Sequence, residues 1–363
     1  MKKILFLLSH QPNPRFIKQI NYLSIRHKVW VVHFYRDYIK DLSSEYQDNC
    51  QENIEIGKIE NGNFISRAFK LLLAIPTLNK AINGLKFDIL VSENFDTLIF
   101  FKLASFFKKN KPKIVIEISD LLKHHSANKV QHRFLRAIEK VVFRSIDKLI
   151  LTSDRFYSYH YFKVYKKNYF LLENKPLLNS LPSRINKFKN NKVVIGIVGL
   201  LLQGRPYKTL FDVIAGDDRF EVNIYGMGKF ESLVEGYANK FTNIKYYGPY
   251  NLFKDSARIY ASIDILYMPY DTNDFNVKLA LPNKLYEAMF FKVPIITSKD
   301  TYLGEIVNYY RIGYCVRCCD KEDLLKILTN NDFKSLIKNF EQIDDQNFIA
   351  DNDYKKLEKY ILE

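Results

Sequence analysis

What most limits the fold of this chain is an alternation, met twice, of short apolar runs with stretches of helical spacing. Residues 4–8, 29–34, 54–59, 89–91, 114–118 and 149–152 read as strands, with helices predicted between them over 16–25, 64–74, 98–107 and 133–145. Each helical stretch is long enough for the right-handed crossover that joins two parallel strands, so the first half predicts a doubly wound parallel sheet. A second series starts at Lys192, with strands expected over 193–198, 221–225, 244–246, 265–268 and 294–297. Between the two series, residues 176–191 hold two prolines among Asn, Ser and Lys without periodicity, as a linker does. At 363 residues the chain also exceeds the roughly 250 to 300 at which one core stops growing. The expected division is a first domain over 1–176, a linker over 177–191 and a second domain over 192–363, with the last helix able to return to the first domain.

Charge divides the chain in the same place. Residues 1–190 hold 33 Lys and Arg against 16 Asp and Glu, a surplus of 17, whereas residues 191–363 hold 22 against 24. A basic half suits nucleic acid, an anionic membrane surface or an anionic small ligand, and it also serves plain solubility. No recognised nucleic-acid motif accompanies the basic residues, and the second half is neutral to acidic. The opening Met1-Lys2-Lys3 precedes an apolar run of only five residues, shorter than the roughly 7 to 15 of a secretory signal, so it reads as a buried first strand. No run approaches the roughly 18 to 20 apolar residues of a membrane span, and the expected location is cytoplasmic, peripheral at the inner face of the cell membrane. Cys50, Cys315, Cys318 and Cys319 are too few and too clustered for a disulfide framework, and the last three lack a fourth ligand at zinc-finger spacing. No metal or other cofactor is expected.

Two kinds of segment carry chemistry. Gly199, after the apolar run 193–198, precedes Arg205 and Lys208, and Gly226 and Gly228 follow residues 224–225. Glycine lets backbone N–H groups approach an anion, although glycines after strands are often only turns. The more specific segment is Pro282-Asn283-Lys284-Leu285-Tyr286-Glu287-Ala288-Met289, leading to Val293-Pro294-Ile295-Ile296-Thr297-Ser298. Proline in a first helical turn opens the helix at Pro282. Asn283, Lys284 and the N–H groups of that turn suit a diphosphate, and Glu287, one turn on, suits the two hydroxyls of a ribose. The plainer alternative is an amphipathic helix with a solvent-facing glutamate.

These residues resemble the donor-site motif of the group-one, retaining-type GT-B glycosyltransferases, the enzymes of bacterial polysaccharide and cell-envelope glycans. Further matches run through Ile197-Val198-Gly199, Ile224-Tyr225-Gly226-Met227-Gly228, residues 243–249 and residues 260–269, in the family's order over about residues 192–320. The resemblance implies an α/β protein of GT-B fold, two doubly wound Rossmann-like domains facing across a cleft. It implies that Glu287 binds the donor ribose, that Asn283, Lys284 and Leu285 meet the diphosphate, and that Gly199 with Arg205 or Lys208 forms the phosphate-side loop. Gly226 belongs to the same set, and Pro249, in Tyr247-Gly248-Pro249-Tyr250, lies in the segment beside the nucleobase. One departure stands out. Where retaining members carry a first glutamate eight residues before the second, this chain has Leu279; Asp271, Asp274 and Asn276 are the nearby polar residues.

The first half matches more loosely. His10-Gln11-Pro12-Asn13-Pro14 replaces the family's glycine pair after the first strand, so His10 is either a cleft residue or a turn histidine. Asp120 ends the strand 114–118 and is the candidate cleft carboxylate, with His124 and His125 behind it; a helix cap is the alternative. His10 and Asp120 are therefore the catalytic candidates.

The expected activity is transfer of a hexosyl-type sugar from a nucleotide-sugar donor to a glycan or lipid-linked acceptor, without metal. A nucleotide-sugar epimerase of the same fold is the alternative, and a basic nucleic-acid-binding protein the alternative from another class. Expected partners are the donor, the acceptor and an anionic membrane surface, not nucleic acid. For the membrane, the segment 100–113 joins Phe100, Phe101, Phe106 and Phe107 to Lys108, Lys109, Lys111 and Lys113.

Overall fold

Strand β1 (Lys3–Leu8) is fully buried from Ile4 onward, which requires cover on both faces of its sheet. The computed structural model describes residues 1–36, 42–58, 70, 72–106, 111–121, 130–187, 192–330 and 332–363. Within these, β1 pairs in parallel with β2 (Lys28–Tyr35) on one side and β4 (Ile89–Glu93) on the other. The remaining members are β3 (Glu52–Lys58), β5 (Lys113–Ile118), β6 (Lys148–Leu151) and β7 (Tyr169–Leu171). Their order is β3-β2-β1-β4-β5-β6-β7. The chain thus winds outward from β1 to β3, then returns to β4 and winds the other way, which leaves a crevice between the carboxyl ends of β1 and β4.

Helices α1 (Pro14–Ser24), α2 (Ile75–Asn83), α3 (Asn94–Ala104), α4 (Val130–Phe143) and α5 (Asp154–Tyr159) connect these strands. Asn13 caps α1 by accepting from the backbone N–H of Arg15 and Phe16, with Pro14 at the first position, so the segment that reads as a turn also starts the helix. The expected helix over 64–74 falls largely outside the described residues, as do Phe107, Lys108, Lys109, His124 and His125. Strand β7 was not expected; at three residues it offers no alternation to read.

The second sheet runs β10-β9-β8-β11-β12-β13, again all parallel. Its strands are β8 (Val193–Val198), β9 (Phe220–Tyr225), β10 (Ile244–Tyr246), β11 (Ile265–Met268), β12 (Ile295–Ser298) and β13 (Gly313–Val316), the last also unforeseen. Its helices are α6 (Gly204–Ile214), α7 (Glu231–Lys240), α8 (Leu252–Ser262), α9 (Phe275–Leu279), α10 (Asn283–Phe291), α11 (Tyr302–Tyr310) and α12 (Lys321–Asn330). Two hydrophobic clusters cover its faces. Val194 and Val198 join the cluster with α8 and α10, while Ile195 and Ile197 join the one with α6, as a period of two dictates.

Internal contacts divide the chain into two units, Met1–Glu173 with Asp353–Glu363, and Asn174–Asn352. Residues 177–187, read as part of a linker, group with the second unit. There Lys187 donates to the carbonyls of Tyr260 and Ile263 at the end of α8, where the helix dipole favours a cation. The last eleven residues belong to α13 (Asp351–Leu362) and its end, and they group with the first unit. Glu358 pairs with Arg26 at 2.7 Å and His27 at 3.0 Å, and the Tyr360 hydroxyl donates to the carbonyls of Leu149 and Asn168.

Candidate functional site

In the second unit the crevice opens between β8 and β11, and three glycines shape it. Gly199 donates to the Tyr225 carbonyl at 2.8 Å and Gly226 to that of Gly248 at 2.7 Å, so the turns after β8, β9 and β10 are stitched backbone to backbone. Gly226 sits at φ +138°, and a Cβ there would lie 1.9 Å from the Gly199 carbonyl oxygen. Only glycine fits. The sequence suggested an anion loop; the structure shows that Gly226 first serves close backbone packing.

Helix α10 begins at the mouth of this crevice. Leu285, Ala288 and Met289 are buried in the cluster under the sheet, which fixes the helix's rotation and turns Asn283, Lys284 and Glu287 to another face. Asn283 is exposed. The Lys284 ammonium stands 2.8 Å from the point where a Cβ on Gly199 would be, so the missing side chain at Gly199 makes room for that cation. Burial pushes the Lys284 pKa below its ordinary value, and the charge of Glu287 opposes the shift. The Leu285 side chain faces the core, and its N–H is taken by the Pro282 carbonyl at 3.1 Å. The first-turn N–H groups left for a ligand are those of Asn283 and Lys284.

Glu287 does not face solvent, as an ordinary amphipathic helix would have it: the residue is 6% exposed, and its Oε2 accepts from the hydroxyl of the fully buried Tyr260 at 2.7 Å. Burial and the Glu287 charge together raise the Tyr250 and Tyr260 pKa values, which keeps both phenols protonated as donors. Beside them Tyr247 is half exposed and stacks on Tyr225 at 4.7 Å, offering a flat aromatic face next to the exposed Pro249.

The two basic residues after Gly199 separate. Arg205 pairs with Asp271 at 3.4 Å, and Gln203 accepts from the Asp271 N–H, which ties the β8 turn to the segment after β11. Lys208 instead pairs with Asp212 at 2.7 Å, a carboxylate that also takes Lys321 at 2.9 Å, on the outward side of α6. Asp274 caps α9, accepting from the Asn276 N–H, and Leu279 lies half-buried in its last turn.

In the first unit the crevice between β1 and β4 holds His10, whose Nε2 lies 3.2 Å from Glu93 Oε1. Glu93 is buried at the end of β4 and accepts from both the N–H and the hydroxyl of Ser9, at 2.9 and 2.8 Å. Although burial raises the pKa of Glu93, the His10 charge and these donors outweigh it and hold the carboxyl at about 2. Gln11 clamps Arg36 at the end of β2, donating to its carbonyl and accepting from its N–H. A second buried carboxylate, Glu117, meets Arg15 at 2.9 Å and Gln19 at 2.7 Å; burial raises its pKa against the Arg15 charge. Asp120, by contrast, is exposed beyond β5. Glu93 is absent from the sequence candidates although residues 89–93 carry the same signal as 114–120, an acidic residue closing an apolar run.

Residues 193–330 match the model of the family described as Glycosyl transferases group 1. The matched stretch lies within the second unit, which is similar there to the group 1 glycosyltransferases. Solved structures of the same architecture extend the likeness in fold over the whole chain. Sucrose-phosphate synthase from Thermosynechococcus elongatus is 13% identical, covering 99% of this chain and 98% of its own at a TM-score of 0.75. HepE from Anabaena, solved in complex with UDP, is 15% identical, covering 99% of each chain at 0.71. WaaG, a glycosyltransferase involved in lipopolysaccharide biosynthesis, is 15% identical, covering 95% of this chain and 97% of its own at 0.67. At such identities the likeness shows the fold, which is GT-B. No curated protein matches the chain in sequence.

Proposed function

We propose that this glycosyltransferase moves a sugar from a nucleotide-sugar donor, held by the second unit, to a glycan or lipid-linked acceptor of cell-surface polysaccharide synthesis. One observation carries the reading: Lys284 over the bare Gly199, with Glu287 anchored by Tyr260 one turn further along α10. Lys284 and the α10 N-terminus stabilise the charge that develops on the departing diphosphate. The second oxygen edge of Glu287 meets the ribose, and the Tyr225–Tyr247 stack supports the base. UDP is bound by HepE, which favours a uridine donor here as well. Incubation with a panel of nucleotide sugars and a membrane lipid extract, followed by product analysis, tests the reading. A nucleoside diphosphate released only in the presence of extract supports it, and turnover without any acceptor would favour an epimerase instead.

The membrane is the proposed site of action. No described helix is long and apolar enough to cross a bilayer. Phe100 and Phe101 are buried against the sheet, but Leu103 and Phe106 of the same segment are 49% and 78% exposed. Phe134 and Val141 of α4, which packs on α3, are 67% and 63% exposed. Lys102, Lys111, Lys140, Arg133, Arg136 and Arg144 accompany these apolar tips, the composition of an interfacial surface. Each cation near an anionic leaflet contributes about 1 kcal/mol, screened over roughly 8 to 10 Å. Sedimentation with anionic liposomes at low salt should carry the protein down, and Phe106→Ser with Phe134→Ser should weaken that; equal binding to neutral liposomes would refute it.

A further inference from the structure

We propose that Glu93 is a positioning residue that holds His10 as an imidazolium at neutral pH, so that the crevice of the first unit presents a fixed positive charge and not a base. The geometry carries this. His10 Nε2 faces the Glu93 carboxylate at 3.2 Å, and His10 Nδ1 lies 2.5 Å from the Gln11 carbonyl oxygen. Both partners are acceptors only, so both ring nitrogens must carry hydrogen. Burial alone would lower the His10 pKa, but Glu93's charge and hydrogen bond, with the Gln11 carbonyl, outweigh it against the opposing charge of Arg36, and the net shift is upward.

Glu93 is itself held for this task. It is 3% exposed, and Ser9 spends both its N–H and its hydroxyl on the same Oε2, which leaves Oε1 to the imidazole. Asn94, the next residue, adopts φ +62°, a left-handed conformation that Asn tolerates, where β4 ends and α3 starts. The pair spans β1 and β4, the point where the winding reverses and where open sheets of this kind bind ligands. An imidazolium there stabilises negative charge or donates a proton; it does not remove one from an acceptor hydroxyl.

The inference rests on the glycosyl-transfer reading only in its kinetic arm. In the full chain labelled at histidine, the His10 ring resonance, assigned by its loss in His10→Gln, should titrate above the ordinary value of about 6.5. Glu93→Gln should lower that midpoint by a unit or more, a tenfold or greater loss of proton affinity, which a merely structural role would not produce. Thermal denaturation of Glu93→Gln checks folding, and should that variant unfold, Ser9→Ala, which removes one donor to Glu93, should move the midpoint in the wild-type fold. In the kinetic arm, kcat/KM for the acceptor should fall as pH rises through the same midpoint, and the fall should move to lower pH in Glu93→Gln. A midpoint at or below 6.5, an unmoved midpoint in both variants, or activity that rises through the midpoint would overturn the proposal. Loss of all transfer with an intact high midpoint would overturn the functional reading and leave the pair's chemistry standing.

Discussion

Replacing Glu287 by alanine perturbs two things, and the structure says how to separate them. The carboxylate accepts from Tyr260 at 2.7 Å, and Tyr260 is 0% exposed, so truncation leaves a buried hydroxyl without that acceptor. An unsatisfied buried hydroxyl costs about 1 to 3 kcal/mol. On the binding side, charge-assisted hydrogen bonds from a ribose are each worth about 1.5 to 3 kcal/mol, a tenfold to hundredfold change in affinity. Glu287→Ala should therefore lose both stability and affinity. Tyr260→Phe divides them: with no hydroxyl to orphan, Glu287→Ala should cost distinctly less stability in that background, by about the hydroxyl penalty, while the loss of donor affinity stays the same. Denaturant unfolding gives the first quantity and calorimetric titration with the preferred donor the second. An unchanged dissociation constant for Glu287→Ala would remove the residue from the donor site. Equal destabilisation in both backgrounds would show that the Tyr260 bond is not the source.

Three further outcomes are expected. Because burial lowers the Lys284 pKa, and a bound diphosphate would favour its charged form, donor affinity should fall as pH rises through that lowered value, below the ordinary 10.5, and Lys284→Met should abolish this dependence in calorimetry. Gly226→Ala forces a Cβ against the Gly199 carbonyl at a φ that L-residues avoid; backbone strain of about 1 to 3 kcal/mol is at stake, or roughly 2 to 12 °C for a domain of this size, readable by thermal denaturation. The raised His10 pKa contributes stability that is complete below 6.5 and lost as pH climbs through the folded value, whereas Glu93, lowered from 4.5 to about 2, contributes stability present above 4.5 and lost on acidification. Unfolding free energy should therefore hold a plateau between about pH 4.5 and 6.5, and in Glu93→Gln its dependence on pH should flatten on both sides.

The sequence by itself determined the two parallel sheets, since runs such as 4–8 and 193–198, apolar at nearly every position, can be satisfied only by cover on both faces. It also determined the α10 motif, because proline at the opening and the spacing of Leu285, Ala288 and Met289 fix where that helix starts and which face it buries. Local rules decide such features, and local rules are legible in one dimension. What only the tertiary structure decided were pairings between distant strand ends: Glu93 with His10, 83 positions apart in the numbering, and Tyr260 with Glu287, 27 apart. The role of Gly226 belongs here too, because its need for glycine comes from the carbonyl of Gly199 and not from its own turn. Arg205, six positions after Gly199, reached Asp271 across the sheet, whereas Lys208, three residues further on, took the local i,i+4 pairing with Asp212. A residue's partner across a sheet depends on strand order and on how each helix rolls to bury its apolar stripe. Those are properties of the packed whole, and no window of sequence contains them.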